Sequence, residues 1–338
     1  MGSSRCKWPA VALFSLAVQS MSPALSQDLT VVRYQEYPGS NLHLVNWVMV
    51  EKGFCEKEGL RCEPILLANG PLAQKAVAAG SVDLILSSLD VMLQAVANGS
   101  DLMAVGTFAT NNVYSFAVRS GLEKPGAGYP QNIAGLKGMK IGVSARGSGV
   151  EMYAKDLLSG AGIAPNEVTF VAVGAAATTY AALAAGQIDA AVTWDPVPAM
   201  CGATGKCSIA VDLRKGEGPA DLAAMNGGFV AWQARREYVA KNPKAIDAFL
   251  RAQARATKWM REPTNFNEAS AIATRHFKLT DDVPNRDIVM AEMVKGSISQ
   301  IGNHFDRKAI PAFNKFLIKN DVLKTPVDPD SIIYQNAP

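Results

Sequence analysis

The sequence has little of what catalysis or metal binding usually requires. Only three histidines occur among 338 residues. Two of them, His276 and His304, fall in a C-terminal stretch with helical periodicity, and His43 is expected on a helix face. The sequence has no serine-hydrolase elbow, no zinc-protease motif and no phosphate-binding loop. We therefore expect no enzyme, no metal site and no cofactor.

Net charge and long apolar runs are also scarce. The formal charge of the whole chain is +3, and it falls to +1 without Arg5 and Lys7. A nearly neutral chain has no electrostatic footprint for nucleic acid or an anionic membrane. Beyond the first 26 residues, no apolar run reaches the roughly 18 residues of a membrane helix. We expect neither nucleic-acid binding nor direct membrane insertion.

Residues 1–26 have the features of a secretory signal. Arg5 and Lys7 form a basic region, Val11–Val18 an apolar region, and Ala24-Leu25-Ser26 a small-residue cleavage site. The alternative is a buried first helix. No cysteine follows at the cleavage point, so a lipid anchor is not indicated. The sequence predicts export to the periplasm.

The cysteines form two sequence-local pairs. Cys6 leaves with the predicted signal, and the remaining four are Cys55, Cys62, Cys201 and Cys207. An oxidising compartment favours the disulfides Cys55–Cys62 and Cys201–Cys207, although four cysteines allow three connectivities. The alternative, a zinc site, lacks the C-x₂-C spacing and the histidines. We interpret the pairs as local clips.

An imperfect repeat divides the chain. Ala-Ala-Gly-Ser-Val-Asp at 78–83 recurs as Ala-Ala-Gly-Gln-Ile-Asp at 184–189, which places Asp83 and Asp189 106 positions apart. In both copies an alanine-rich helix ends at a glycine and leads into a buried-looking strand. Repetition over this distance predicts two lobes of similar plan.

Strands alternate with helices of about ten residues along both halves. This pattern indicates parallel sheets with crossover helices. The predicted fold is α/β with two lobes, each a mostly parallel sheet flanked by helices, joined by a hinge of two strands. The predicted boundaries are 1–26 for the signal, 27–112 plus 227–338 for lobe one, and 113–226 for lobe two.

Ligands of open α/β sheets bind beyond the carboxyl ends of the strands. Here those loops are rich in Ser, Asn, Thr and Gly, and most lead into helices, which suits an oxygen-rich anion. Arg146 is the one permanent cation in these loops and can clamp such an anion. Tyr34 and Trp194 offer flat apolar walls.

Each of these residues also has a plain structural interpretation. Serine and asparagine at strand-to-helix junctions cap helices with or without a ligand. Arg146 can be solvated at the rim of the cleft, and Trp194 can belong to the core beside the hinge. Asp195 can be an N-cap followed by proline at the first helical position.

Four stretches resemble one protein family: the repeat at 78–83 and 184–189, Trp194-Asp195-Pro196, Leu136–Val143, and Phe229-Val-Ala-Trp with Asn242-Pro243. They resemble the periplasmic substrate-binding proteins of nitrate/sulfonate/taurine-type ABC importers, in the thiamine-pyrimidine-binding-like superfamily. The resemblance runs from about Leu29 to Lys324. It implies a bilobal, cluster-II-like, monomeric protein that closes on a ligand and docks on a permease driven by a cytoplasmic ATPase. The cysteine pairs and Arg146 depart from the usual pattern.

By position, the resemblance implies a set of ligand contacts from both lobes, with Thr110 and Asn111 by the hinge. Lobe one contributes Tyr34, Gln35, Ser40, Asn41, Asn69, Gly70, Ser87 and Ser88, and lobe two contributes Arg146, Gly147, Ser148, Trp194 and Asp195.

The expected function is capture of a small sulfonate or carboxylate between the lobes and its delivery to the permease. A second hypothesis is an aromatic or heterocyclic ligand, such as a pyrimidine or flavin, held between Tyr34 and Trp194. An enzyme on the same fold and a sensor subunit that signals to a kinase are the remaining hypotheses. The sequence does not identify the ligand.

Overall fold

The computed structural model describes residues 1–2, 28–124, 126–279, 281 and 283–338. Almost all of the predicted signal segment, including Cys6, lies outside these residues. The described chain forms two mixed β-sheets flanked by helices. Its helices include none that is both long and apolar enough to cross a bilayer.

The first sheet has the strand order β2-β1-β3-β10-β4. A bridge between Tyr34 and Leu84 joins β1 to β3, and the Gln35 N–H donates to the Leu84 carbonyl at 2.9 Å. Only β10 runs antiparallel to its neighbours. The strands are β1 Thr30–Glu36, β2 Leu60–Leu66, β3 Ile85–Ser88, β4 Leu102–Ala109 and β10 Val230–Arg235.

The second sheet has the matching order β7-β6-β8-β5-β9. Here β5, the strand that follows the first crossing of the chain, is the antiparallel one. The strands are β5 Ser115–Arg119, β6 Lys140–Val143, β7 Thr169–Ala172, β8 Ala190–Thr193 and β9 Cys207–Val211.

In each sheet, therefore, the strand that follows a crossing from the other sheet is antiparallel to its neighbours. This strand is β10 in the first sheet and β5 in the second. The chain crosses between β4 and β5 and returns between β9 and β10. We call the first sheet with its helices lobe one and the second sheet with its helices lobe two. We propose residues 112/113 and 226/227 as the lobe boundaries because both positions lie on these crossings.

Helices cover the sheet faces. The C-terminal helix α12 packs both on α1 and α11 of lobe one and on α7 of lobe two. The helices are α1 Leu44–Glu51, α2 Phe54–Lys57, α3 Gly70–Ala78, α4 Leu89–Ala97, α5 Gly149–Gly160, α6 Ala176–Ala184, α7 Val197–Thr204, α8 Ala220–Ala223, α9 Arg236–Lys241, α10 Pro243–Arg261, α11 Phe266–His276, α12 Arg286–Gln300, α13 Ile310–Lys319 and α14 Pro329–Ile332.

The two copies of the repeat occupy equivalent positions. Asp83 pairs with Arg33 at 2.8 Å and accepts the Arg33 backbone N–H at 2.9 Å. Asp189 pairs with Arg119 at 2.8 Å and accepts the backbone N–H of Lys140 at 2.9 Å. Both aspartates thus tie the start of a central strand to its neighbour, which explains why the repeated motif ends in this residue.

Both predicted disulfides are present. Cys55–Cys62 joins α2 to β2, and Cys201–Cys207 joins α7 to β9. The elements α7 and β9 themselves were not predicted. The reason is physical: α7 reads Val-Pro-Ala-Met-Cys-Gly-Ala-Thr and has almost no amphipathic periodicity, and β9 has only 5 residues.

Candidate functional site

The carboxyl ends of β1, β2 and β3 face those of β6 and β8 across the junction of the lobes. They enclose a cavity of about 20 Å³, which is room for about one water molecule. A pocket for a drug-sized molecule usually measures roughly 300–1,000 Å³. The lobes must therefore separate to admit one. The cavity is lined by Tyr37, Gly70, Pro71, Ser87, Ser88, Val91, Tyr114, Ser144, Ser148, Gly149, Val150 and Trp194.

Three aromatic rings from different parts of the chain form its walls. The ring centre of Trp194 lies 5.7 Å from that of Tyr37 and 5.9 Å from that of Tyr114. Tyr37 is held at both ends: its N–H donates to His43 Nε2 at 2.7 Å, and its hydroxyl donates to the Leu86 carbonyl at 2.7 Å. Burial lowers the pKa of His43 to about 3, so this ring is neutral and acts as a fixed acceptor.

Two helices of opposite lobes begin at the cavity. Ser88 and Ser148 occupy the N-cap positions of α4 and α5, and neither side chain makes a capping hydrogen bond. Gly149 is required by this close approach, since a Cβ there would lie 2.9 Å from Asp90 Oδ2 and 3.0 Å from Val91.

Asp90 stands directly behind this lining. It is fully buried, and its Oδ1 accepts the Tyr153 hydroxyl of lobe two at 2.5 Å. Its Oδ2 has no hydrogen-bond partner among the described residues. Burial raises the pKa of Asp90 above its ordinary value, and the hydrogen bond from Tyr153 opposes this.

A second group of contacts joins the lobes around Asp195. Trp194 Nε1 donates to Ser40 Oγ at 3.1 Å, and Ser40 Oγ donates to the Asp195 carbonyl at 3.1 Å. The Asp195 carboxylate accepts Arg214 Nη1 at 3.2 Å and also the Gln300 amide. Burial raises the pKa of Asp195, and Arg214 opposes it.

The two crossings lie side by side. The Thr110 carbonyl accepts the N–H groups of Gly227 and Gly228 at 2.6 and 2.9 Å, and the Asn112 N–H donates to the Asn226 side chain at 3.1 Å. A second, larger cavity of about 380 Å³ opens beside them. Its lining includes Thr110, Asn111, Asp212, Arg214, Lys215 and Arg261.

Only part of the predicted site borders the interlobe cavity. The predicted residues in its lining are Gly70, Ser87, Ser88, Ser148 and Trp194. The predicted residues outside its lining are Tyr34, Gln35, Ser40, Asn41, Asn69, Thr110, Asn111, Arg146, Gly147 and Asp195.

Two of these residues, Tyr34 and Arg146, lie where they do not have the roles predicted for them. Tyr34 lies in the core of lobe one, with its ring 5.9 Å from that of Trp232 and 5.6 Å from that of Phe249, so it is not a cleft wall. The Arg146 side chain is 61% exposed and pairs with Glu151, and it also lies over the ring of Phe170. The expected guanidinium clamp is therefore absent from the cavity lining.

The other positions have structural partners. Gln35 binds the Leu86 N–H and the Leu67 carbonyl, and Asn69 caps α3 through the Leu72 N–H. The remaining contacts are Asn41 with Met293 and Ser297, Gly147 with Glu151, and those of Ser40, Asp195 and Thr110 given above. Asn111 lines the larger cavity beside the crossings.

The lining residues that were not among the predicted site residues are Tyr37, Pro71, Val91, Tyr114, Ser144, Gly149 and Val150. Tyr37 and Gly149 lie in strand-end loops that were predicted to face the cleft, so the rule about strand ends was sufficient to find them. Tyr114 stands just before β5, where the alternation of apolar residues does not reveal which side chain turns toward the other lobe.

Comparisons with known proteins identify the family and the fold of the chain. The family model described as "NMT1/THI5 like" matches residues 42–265. The chain belongs to the NMT1/THI5-like family. A family relative in Brucella abortus (strain 2308), whose name describes it provisionally as a binding protein, is 30% identical over 68% of this chain. The match spans 66% of that relative's own length, just under two thirds.

Solved structures with the same fold include binding proteins of ABC importers. A structure from Bordetella bronchiseptica RB50 has a TM-score of 0.77 and 26% identity, covering 92% of this chain and 96% of its own. The alkanesulfonate-binding protein SsuA from Xanthomonas axonopodis pv. citri has a TM-score of 0.66, 18% identity and coverages of 91% and 98%. The nitrate-binding protein NrtA from Synechocystis PCC 6803 has a TM-score of 0.71, 17% identity and coverages of 92% and 87%. The predicted family and the α/β periplasmic-binding-protein fold are confirmed.

Proposed function

We propose that this NMT1/THI5-like chain is the extracytoplasmic solute-binding component of an ABC importer. It captures one small organic molecule between its lobes and delivers it to a permease driven by a cytoplasmic ATPase. The observation that carries the proposal is the cavity itself. The strand ends of both lobes border it, and the contacts that join the lobes around it can break when the lobes separate. Export by residues 1–26, a periplasmic location and a monomeric state belong to the same proposal.

As the ligand we propose a small, flat molecule without negative charge. Three aromatic rings wall the cavity, and its lining contains no charged side chain. Flat apolar walls favour a ring, because stacking and edge contacts reward planar groups. This was the second ligand hypothesis from the sequence, now with Tyr37 and Tyr114 in place of Tyr34.

A small sulfonate or carboxylate remains the second candidate. The names of SsuA and NrtA, which bind sulfonate and nitrate, favour it. The N-terminus of α3 favours it too, since Gly70 lines the cavity and the first turn of that helix carries no acidic residue.

Thermal unfolding against a ligand panel tests the proposal. The panel holds alkanesulfonates, nitrate, small carboxylates, aromatic acids, aromatic amines, pyrimidines and flavins. A ligand at about 100 times its Kd stabilises the folded state by about 2.7 kcal/mol. Small-angle scattering with each hit should show contraction on binding. Conversion of a hit into another compound would support an enzyme instead, and a hit without contraction would contradict capture by closure.

A further inference from the structure

The fully buried carboxylate of Asp90 is not paired with a cation among the described residues, although buried carboxylates are usually paired. One oxygen is bound by Tyr153, and the other accepts no hydrogen bond in the described chain. Leaving such an atom unsatisfied costs stability, so a buried orphan acceptor in a native protein calls for an explanation.

The groups that bury Asp90 belong largely to the opposite lobe. Tyr153 and Gly149 are both on α5, whereas Asp90 is in the first turn of α4. Its neighbours Ser88 and Val91 line the cavity. Separation of the lobes would take Tyr153 and Gly149 of α5 away from Asp90 and expose its carboxylate beside the cavity.

The two helix N-termini that meet at the cavity already carry carboxylates. Asp90 lies in the first turn of α4, and Glu151 lies in the first turn of α5, where Glu151 also accepts the Gly147 N–H at 2.7 Å. A helix N-terminus favours about one compensating negative charge. A second anion placed beside Asp90 would meet a like charge without a cation in the lining, and close like charges disfavour each other.

We propose that Asp90 determines the ligand specificity of the cleft: its free Oδ2 accepts an N–H of the ligand, which is a planar compound bearing an amidine, amine or similar nitrogen donor. This inference rests on the proposed binding function and narrows it to one chemical class. The aromatic walls hold the ring, and the carboxylate selects the head group.

The test compares four probes of one shape: benzamidine, benzamide, benzoate and benzenesulfonate. Binding is measured by titration calorimetry on protein recovered from the periplasm of an expression host. Benzamidine is expected to bind best and the two anions worst. Asp90→Asn is expected to weaken benzamidine by about tenfold or more, the size of a lost charged hydrogen bond.

Asp156→Asn is the matched control. Asp156 is also a buried carboxylate on an interlobe contact, with Oδ1 bound by Lys319 at 2.9 Å and Oδ2 without a partner in the described chain. Neither Asp156 nor Lys319 is next to the cavity lining, whereas Ser88 and Val91, beside Asp90, belong to it. Its replacement should leave the affinity for benzamidine unchanged. An equal loss in both variants would overturn the role of Asp90.

The ranking of the probes by the unmutated protein needs no variant, so the proposal stays falsifiable if Asp90→Asn does not fold. Tighter binding of benzoate or benzenesulfonate, or no binding of benzamidine at millimolar concentration, would overturn it. Those results would leave the binding function intact, because that function is judged by the wider ligand panel and by contraction of the protein.

Discussion

Buried carboxylates of the two lobes are neutralised in different ways. In lobe two, Glu151 accepts Arg146 at 3.1 Å and Lys155 at 2.8 Å. Asp212 accepts Arg214 Nε at 2.7 Å. Burial works against ionisation at both sites, but the cations and backbone donors hold the pKa of each below its ordinary value. Both of these acids are therefore neutralised by cations of their own lobe.

In lobe one, two equally buried carboxylates receive only neutral donors. Glu36 accepts the Asn46 amide at 3.1 Å and the Trp47 indole at 3.2 Å, and Asp90 accepts the Tyr153 hydroxyl. Burial raises the pKa of Glu36 to about 7 and that of Asp90 above its ordinary value. Of these two acids, Asp90 is the one whose neighbours Ser88 and Val91 line the interlobe cavity, where the proposed ligand would supply a donor.

The largest loss of stability is expected from replacing Arg214, because this cation pairs with two buried carboxylates of lobe two. Arg214 binds Asp212 through Nε and Nη2 and Asp195 through Nη1. Arg214→Ala leaves both acids buried and weakly compensated, which should lower the free energy of unfolding by about 3 kcal/mol. Urea unfolding at neutral pH measures it.

Lys215→Ala is the control, because Lys215 pairs with the same Asp212 at 3.5 Å but its side chain is 72% exposed. Its replacement should cost less than about 1 kcal/mol. Equal losses for the two variants would show that burial does not determine how much each ion pair stabilises the folded protein.

For Glu36 we expect the stability of the folded protein to fall as the pH rises. Its pKa in the folded protein is about 7 against an ordinary value of 4.5, so the folded state holds the proton more tightly than the unfolded state. Stability contributed by Glu36 therefore falls as the pH rises from 4.5 to 7, by at most about 3 kcal/mol. Glu36→Gln should remove this fall, since a glutamine amide does not titrate.

Glu58 provides the comparison within the same lobe. It is paired with Arg251 and Arg255, and its pKa is lowered by them against the effect of burial. Its contribution to stability is present at neutral pH and lost as the pH falls, so Glu58→Gln should lower stability at neutral pH and match the unmutated protein on the acid side. Identical pH profiles for the two variants would contradict the contrast between paired and unpaired acids.

The smallest effect is expected at Arg146, which the sequence analysis proposed as a clamp for an anionic ligand. Its exposed side chain shares Glu151 with Lys155, so Arg146→Ala should change stability by less than about 1 kcal/mol. The affinity for any hit of the ligand panel should stay the same in calorimetry. A clear loss of affinity for a sulfonate or carboxylate would instead restore the anion clamp and count against Asp90.

Local patterns in the sequence were sufficient for the architecture. The alternation of strands and helices, the repeat ending in Asp83 and Asp189, and the spacing of the cysteines act over a few residues, so periodicity and proximity reveal them. The rule for strand ends also located the loops around the cavity. Short elements such as α7 and β9 escaped because they lack periodicity.

The sequence by itself thus determined the fold family, the two sheets, both disulfides and the edge of the sheets that borders the interlobe cavity. Only the tertiary structure decided which side chains face that edge. Tyr34 and Arg146 were plausible site residues until packing placed one in the core and paired the other with Glu151. Asp90 and Tyr114 gained their positions from contacts with residues far along the chain, and no local pattern encodes such contacts.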